Sequence, residues 1–386
     1  MAKNVVLGVD FGSCSVVSVI AGWENGKGMR VLGLGTAASE GVRRGQIIDV
    51  EAAARSLRSS LDIAEKKANL RMNSGFFTIG GIGLGAARAK GAVAVSRANN
   101  EISEHDVRRA LDACQSNLEP MANREILHSI PLTFTVDGNL SSLNPVGMSG
   151  IRLECESFFI TAINKDVRNI VRTAELAGLT VEDVVAAPMA AARAVLSKRH
   201  KEVGCMLMDL GAATSTLIIF EEGSPISLEV LPFGSGSITN DLAIGFKISL
   251  DEAEEMKKSF LASATAKKQL VEIISARLSD IFELTNKHLK RIDRLRLLPA
   301  GVVLTGGGSA FSDLAVFAKD YLGLPAQTGS LEEIVLPDGM TGGQWSAAIG
   351  LCLMVFDSIK GRPEIGFELT RKTGNILLRW LKSLLP

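Results

Sequence analysis

The chain has 386 residues, with 42 basic and 42 acidic side chains and aromatics at only 5%. Zero formal charge and few stacking side chains exclude a general nucleic-acid binder, which needs a basic surplus. This length suggests two or three domains with a large core, and 38 glycines point to tight turns and backbone-lined pockets. Cys14, Cys114, Cys155, Cys205 and Cys352 form no CxxC pair, so reduced, buried, cytosolic thiols are expected. His105, His128, His200 and His288 lie too far apart for metal-ligand spacing, so no protein-bound zinc is expected. The N-terminus enters a strand pattern at once, which predicts no signal peptide. The longest apolar run, Ala347–Phe356, falls short of the ~20 residues that span a bilayer and predicts a buried helix.

In chain order, Val5–Val9 predicts a strand that ends in Asp10-Phe11-Gly12-Ser13-Cys14-Ser15. Val16–Ala21 and Met29–Leu34 continue it as a β-meander with a tight first turn. Ala54, Leu57, Leu61 and Ala64 recur near helical spacing within a helix over Glu51–Ala68. Phe76–Ile79 reads as a short buried strand. Gly80–Thr161 reads as an insert with several strands, a helix over Glu104–Ser116 and the glycine-rich Asn144–Gly150. Cys205–Gly211 then repeats the first pattern, an apolar run followed by Asp, an apolar residue and Gly. Ala212–Ser215 echoes Ser13–Ser15, and Thr216–Phe220 is the return strand. Pro232–Leu298 is a second insert, helical and basic towards its end. Ala187–Ala192 and Ser346–Gly350 are matching small-residue helix starts that would let two helices cross closely. Such self-similarity predicts two like domains facing each other. From Asp357 to Thr373 the pattern is polar, with Gly361, Pro363 and Gly366, and reads as a linker.

Three glycine-bearing turns follow strands: Asp10–Ser15, Asp209–Ser215 and Thr305-Gly306-Gly307-Gly308-Ser309. Backbone N–H groups in such turns bind anions, and small hydroxyls add donors. Each opening aspartate is placed to hold a magnesium ion directly or through water. A single Asp-x-Gly turn is usually only a hairpin; two matched copies and a triple glycine carry more weight. GxxxxGK[ST] is absent, and Gly81–Gly85 misses GxGxxG spacing.

The order of turns and small-residue helices resembles the actin/Hsp70/sugar-kinase superfamily. Within it, Asn144–Gly150, Gly236–Gly245 and Glu252–Lys257 are similar to segments of the FtsA family of bacterial cell-division proteins. The resemblance covers essentially the whole chain. It implies an α/β, actin-like two-domain fold with a central nucleotide cleft, small inserted subdomains and a C-terminal amphipathic helix. Domain I would span 1–79 and 162–200, with an inserted subdomain at 80–161. Domain II would span 201–231 and 299–356, with a helical subdomain at 232–298. A linker at 357–371 would lead to the amphipathic helix at 372–386. ATP with Mg2+ would lie in the cleft. Asp10, Gly12, Ser13 and Ser15 would flank one side of the phosphates, and Asp209, Gly211 and Thr214 the other. Asp10 and Asp209 would serve the metal, and Gly306, Gly307 and Gly308 would approach the adenosine. Glu254 and Lys257 match a helix pair that contacts ribose and adenine in relatives; by themselves they read equally as a solvated helix face. Methyl groups at Ala212 and Ala213, where relatives often carry glycine, would crowd a phosphate or demand negative φ. Hydrolysing relatives carry Glu-Pro at the first connecting helix, and this chain has Ala187-Pro188. Loss of a water-positioning acid costs ~10²–10⁴ in rate, so a nucleotide-gated switch with weak or absent ATPase activity is expected.

The implied partners are the C-terminal peptide of FtsZ, further copies of this chain in an actin-like filament, and other division proteins through residues 80–161. The peptide surface is placed near Arg277, Lys287 and Lys290, which read equally as an ordinary solvated face. The alternatives are a true ATPase or phosphotransferase of the superfamily, or a pilus-assembly relative. The tail is the clearest physical signal. At about 100° per residue, Ile376, Leu377, Leu378, Trp380, Leu381, Leu384 and Leu385 fall on one arc, and Arg379, Lys382 and Ser383 fill the rest. Such a short basic amphipathic helix lies in a membrane interface and favours anionic lipid. The expected location is peripheral, on the cytoplasmic side of the inner membrane at the division site. A terminal helix docked on its own domain is the bland alternative.

Overall fold

The computed structural model describes residues 4–23, 28–119, 121–140, 144–262, 268–311, 313–331, 334, 336 and 342–360. The tail reading, Ile376 to Leu385, and the linker from residue 361 lie outside the described residues. The chain opens with β1 (Val5–Phe11), β2 (Ser15–Trp23) and β3 (Met29–Ala38), the expected meander. A small hairpin follows, β4 (Val42–Arg43) and β5 (Gln46–Ile47). Helix α1 (Val50–Ala68) starts where Asp49 accepts from Ala52 N at 3.0 Å and stops at Asn69 in the left-handed region. Then comes β6 (Ser74–Ile79).

The insert holds β7 (Leu84–Ala94), α2 (Glu104–Ser116), β8 (Arg124–Val136), β9 (Asn139–Leu140) and β10 (Arg152–Ile163). Its strands form a sheet in the order β7-β10-β8-β9, with α2 packed on one face. A Ser103–Asp106 capping box begins α2. The Asn144–Gly150 segment is held beside that start, with Gly147 N donating to Ile102 O at 2.9 Å.

Domain I resumes with α3 (Asn164–Leu176), β11 (Thr180–Ala186) and α4 (Ala187–Val195), followed by the short α5 (Lys198–Val203). The second half begins with β12 (Cys205–Leu210), β13 (Ser215–Glu221) and β14 (Ser224–Leu231). Three helices follow: α6 (Ser235–Phe246), α7 (Leu250–Ala262) and α8 (Lys268–Arg291). The chain returns through β15 (Val302–Thr305), α9 (Leu314–Leu322), β16 (Ala326–Thr328) and α10 (Ser346–Ile359).

The two large sheets are copies of one topology. One runs β3-β2-β1-β6-β11 and the other β14-β13-β12-β15-β16. In each, three antiparallel strands are followed by two parallel ones. Their central strands are apolar runs rather than alternating patterns, because both faces are covered. The two small-residue helices do meet: a Cβ on Gly350 of α10 would lie 1.8 Å from Ala190 O of α4. Only glycine permits that approach. Asp357, expected to open a linker, instead belongs to α10, which continues to Ile359, and it pairs with Arg193 of α4 at 2.6 Å.

Candidate functional site

The duplicated sheets bring the first two turns to equivalent places. Gly12 N donates to Ser15 O at 3.1 Å, and Gly211 N donates to Thr214 O at 3.0 Å. A Cβ would lie 2.8 Å from Ser15 O at Gly12 and 2.9 Å from Thr214 O at Gly211. These glycines are therefore required by space. Ala212 and Ala213 keep negative φ, so their methyl groups bring no backbone strain.

Asp10 and Asp209 stand near the ends of β1 and β12, the corresponding central strands of the two sheets. Thr78, delivered by β6, donates its hydroxyl to Asp10 Oδ1. Burial raises the Asp10 pKa, and the Thr78 bond opposes that rise. Asp209 is pushed up to about 7, by burial first and then by the charge of Asp10. Among the described residues no donor reaches the Asp209 carboxylate. Two carboxylates, one of them raising the proton affinity of the other, form a donor set suited to a hard cation with water and phosphate oxygens.

The third turn closes onto the second. Gly306 has φ +84°, and a Cβ there would lie 2.1 Å from Asp209 Oδ1. A Cβ on Gly308 would press on Leu210, whereas Gly307 faces open space. Thr305 Oγ1 donates to Ser346 Oγ at 3.0 Å and fixes the turn to the start of α10.

Glu254 and Lys257 reach the same site through α6. Lys257 Nζ lies 2.6 Å from Glu254 Oε2 and donates to Thr239 Oγ1 at 2.8 Å and Ser235 O at 3.3 Å. Ser235 N donates to Gly211 O at 2.8 Å, so one chain of bonds links this pair to the second turn. Lys257 is only 6% exposed, so the solvated-face reading fails for it. Thr78, Ser235 and Thr239 escaped sequence reasoning, because strand pairing and helix packing bring them in from distant positions. Where hydrolysing relatives carry glutamate, Ala187 stands half-buried at the start of α4.

Two of the predicted partner residues have contacts of their own within the helical subdomain. Arg277 of α8 forms a two-pronged pair with Asp241 of α6, at 2.6 and 2.9 Å, and lies over the Phe233 ring. It holds the helical subdomain together. Lys287 pairs with Glu283 at 2.6 Å. Lys290 is exposed, with no ion-pair partner among the described residues.

Two like domains whose Asp–Gly turns meet across a cleft define the actin-like ATPase fold. Solved structures agree on that fold. The PilM–PilN type IV pilus biogenesis complex matches with TM-score 0.70 and 17% identity, covering 90% of this chain and 97% of that one. MreB5 of Spiroplasma citri, bound to AMPPNP, matches with TM-score 0.54 and 12% identity, covering 94% of this chain and 99% of that one. Residues 206–350 match the family described as "Cell division protein FtsA", and residues 84–161 match "SHS2 domain inserted in FTSA". The FtsA of Borreliella burgdorferi is 32% identical over 92% of this chain and 91% of that protein. That of Bacillus subtilis is 31% identical over 95% and 87%. The chain belongs to the FtsA family of cell division proteins.

Proposed function

We propose that this cell division protein is a nucleotide-gated membrane adapter that binds ATP–Mg2+ in the cleft and anchors FtsZ filaments to the inner face of the cytoplasmic membrane. The observation that carries the nucleotide half is the convergence of Asp10 and Asp209 at two matched turns, with Gly306 against Asp209. Bound Mg2+ would neutralise the paired carboxylates and the phosphate oxygens. Asp10 and Asp209 would hold the metal, directly or through water. Gly12, Ser13 and Ser15, opposite Gly211 and Thr214, would donate to phosphates. Gly306, Gly307 and Gly308 would admit the adenosine, and Glu254 with Lys257 would face its ribose and base. With Ala187 in place of a water-positioning acid, turnover stays well below the ~1 s⁻¹ of ordinary enzymes.

Membrane attachment rests on the basic amphipathic pattern of Ile376 to Leu385. No helix among the described residues is long and apolar enough to cross a membrane. A single tail binds weakly and reversibly; self-association into filaments turns it into avidity. The FtsZ peptide would dock near Lys287 and Lys290 on the subdomain that Arg277 braces. The 84–161 insert would face neighbouring copies and other division proteins. Trp380→Glu places a charge within the apolar arc and releases the protein from anionic liposomes in co-sedimentation, while the ATP–Mg2+ thermal shift persists. Wild-type pelleting of Trp380→Glu with liposomes, with filament pelleting controlled for, would remove the tail as anchor.

A further inference from the structure

Four of the five cysteines are buried, and two of these lie together inside the insert. Cys114 is in the last turn of α2 and Cys155 is on β10. Both belong to a small apolar core with Ile102, Phe134 and Phe159. Gly91 on β7 creates their meeting. It stands opposite Cys155 in the ladder, where antiparallel partners are about 5 Å apart. A Cβ at 91 would lie 2.4 Å from Cys114 N and 2.7 Å from Ala113 C. Helix α2 therefore rests its backbone directly on the sheet beside Cys155. Protonated Cys114 donates from Sγ to Cys155 O at 3.1 Å, and Cys155 Sγ lies 3.4 Å from Ser157 Oγ.

The two thiols have different environments. The Cys155 thiol leads the groups that lower the Cys114 pKa, joined by the Ser157 hydroxyl and Gly91 N–H against the opposing push of burial. Cys155 is pushed up, first by Cys114 and then by burial. Burial pushes Cys205 and Cys352 up to about 12. A thiolate-forming cysteine beside a protonated one is the arrangement of an attacking and a resolving thiol.

We infer that Cys114 and Cys155 form a redox-active dithiol in the insert, oxidised to a disulfide by hydrogen peroxide. The Cys114 thiolate attacks one peroxide oxygen. An S–O bond forms, the O–O bond breaks, and hydroxide leaves and is protonated to water. The Cys155 sulfur then attacks the sulfenic sulfur, forming S–S and expelling a second water as the Cys155 proton is transferred. Two thiols are oxidised, and one peroxide is reduced to two waters. Both thiols are buried, so the oxidant has to reach them through local opening of the α2–β10 contact, which a small peroxide needs least and a bulky aromatic disulfide needs most. The product ties the end of α2 to β10 and closes a loop that contains β8 and β9, which restricts the unfolded chain.

The test treats the full-length, reduced chain carrying Cys14→Ser with hydrogen peroxide, followed by alkylation and peptide mapping. The expected product is lighter by two hydrogens, contains a Cys114–Cys155 cross-linked peptide, melts at higher temperature and reverts with dithiothreitol. Its formation should be at least about tenfold faster than oxidation of Cys205 or Cys352, following their thiolate character. In Cys155→Ser, oxidation should stop at a Cys114 sulfenic acid that dimedone traps. The mapping needs no core substitution, so a misfolded Cys155→Ser leaves the test intact. Absence of the cross-linked peptide would overturn the proposal. Equal oxidation of all four buried cysteines, or equal reaction with an aromatic disulfide, would also overturn it by showing that unfolding exposes them together.

Discussion

The turns at Asp10 and Asp209 share one backbone and differ in what holds them. In domain I, two side-chain bonds add to a backbone bond from Ser39 N to Cys14 O at 3.0 Å: Ser13 Oγ accepts from Gly45 N at 2.9 Å, and Thr78 donates to Asp10. In domain II, backbone does most of it, helped by Ser215 Oγ donating to Phe233 O at 2.8 Å. Gly211 O and Ala212 O accept from Ser235 N and Gly236 N at 2.8 and 2.7 Å, at the start of α6. A Cβ on Gly234 would lie 2.5 Å from Gly211 O, so this junction tolerates only bare backbone. Domain II thus ties its turn to the helical subdomain and leaves Asp209 without a donor among the described residues. The first turn is braced for shape, and the second is left with uncompensated charge.

Asp209→Asn should break the comparison most severely. It removes the charge proposed to hold Mg2+, so the ATP–Mg2+ thermal shift should vanish. Asp10→Ala should weaken that shift and return the Asp209 pKa towards ordinary values. The pH dependence follows from the sign of the Asp209 shift. A carboxyl raised from 3.8 to about 7 in the folded state keeps its proton where the unfolded chain has lost it. Without nucleotide or Mg2+, this group's contribution to stability therefore falls as pH rises from about 4 to 7. Thermal melts in a chelator across that range check it, and Asp209→Asn should flatten this component. Mg2+ should act most strongly near neutral pH and above, where the proton no longer competes. An unchanged pH slope in Asp209→Asn would assign that slope to another group.

The third turn separates shape from ligand. Gly306→Ala must adopt positive φ and place a Cβ against Asp209, which should cost about 2 kcal/mol or more. Gly307→Val projects into open space, so it should fold normally and lose the nucleotide shift. Paired melts with and without ATP–Mg2+ distinguish the two. A normal shift in Gly307→Val would take the third turn out of the nucleotide site.

Much of this arrangement was legible in the chain. An apolar run followed by Asp-x-Gly is local, so both turns could be seen, and so could α4 and α10, whose small residues signal close crossing. Their bracing was not legible. Thr78 reaches Asp10 only because β6 pairs with β1, and nothing near Thr78 announces that partnership. The β4–β5 hairpin that supplies Gly45 has two-residue strands and no readable period. The role of Arg277 was also hidden: its charge suggested a partner surface, and its position on α8 opposite Asp241 makes it a brace.

The smallest expected effect is the most direct test of how the first turn is held. Ser13→Ala removes the acceptor of Gly45 N and leaves that N–H partly buried beside Gly81. A Cβ on Gly45 would lie 2.5 Å from Gly81 Cα, so the hairpin has little room to turn its amide to water. Loss of one such bond costs about 0.5–1.5 kcal/mol, or roughly 2–4 °C per kcal/mol in a domain of 150–250 residues. The corresponding change in the other domain, Ala212→Ser, should shift stability by no more than about 0.5 kcal/mol. There the carbonyl of residue 212 already receives Gly236 N, and a new hydroxyl meets no hairpin amide. Melts of both variants without nucleotide measure the difference. If Ser13→Ala proves as neutral as Ala212→Ser, the Gly45 bond does not brace the first turn, and the two turns differ only at their aspartates.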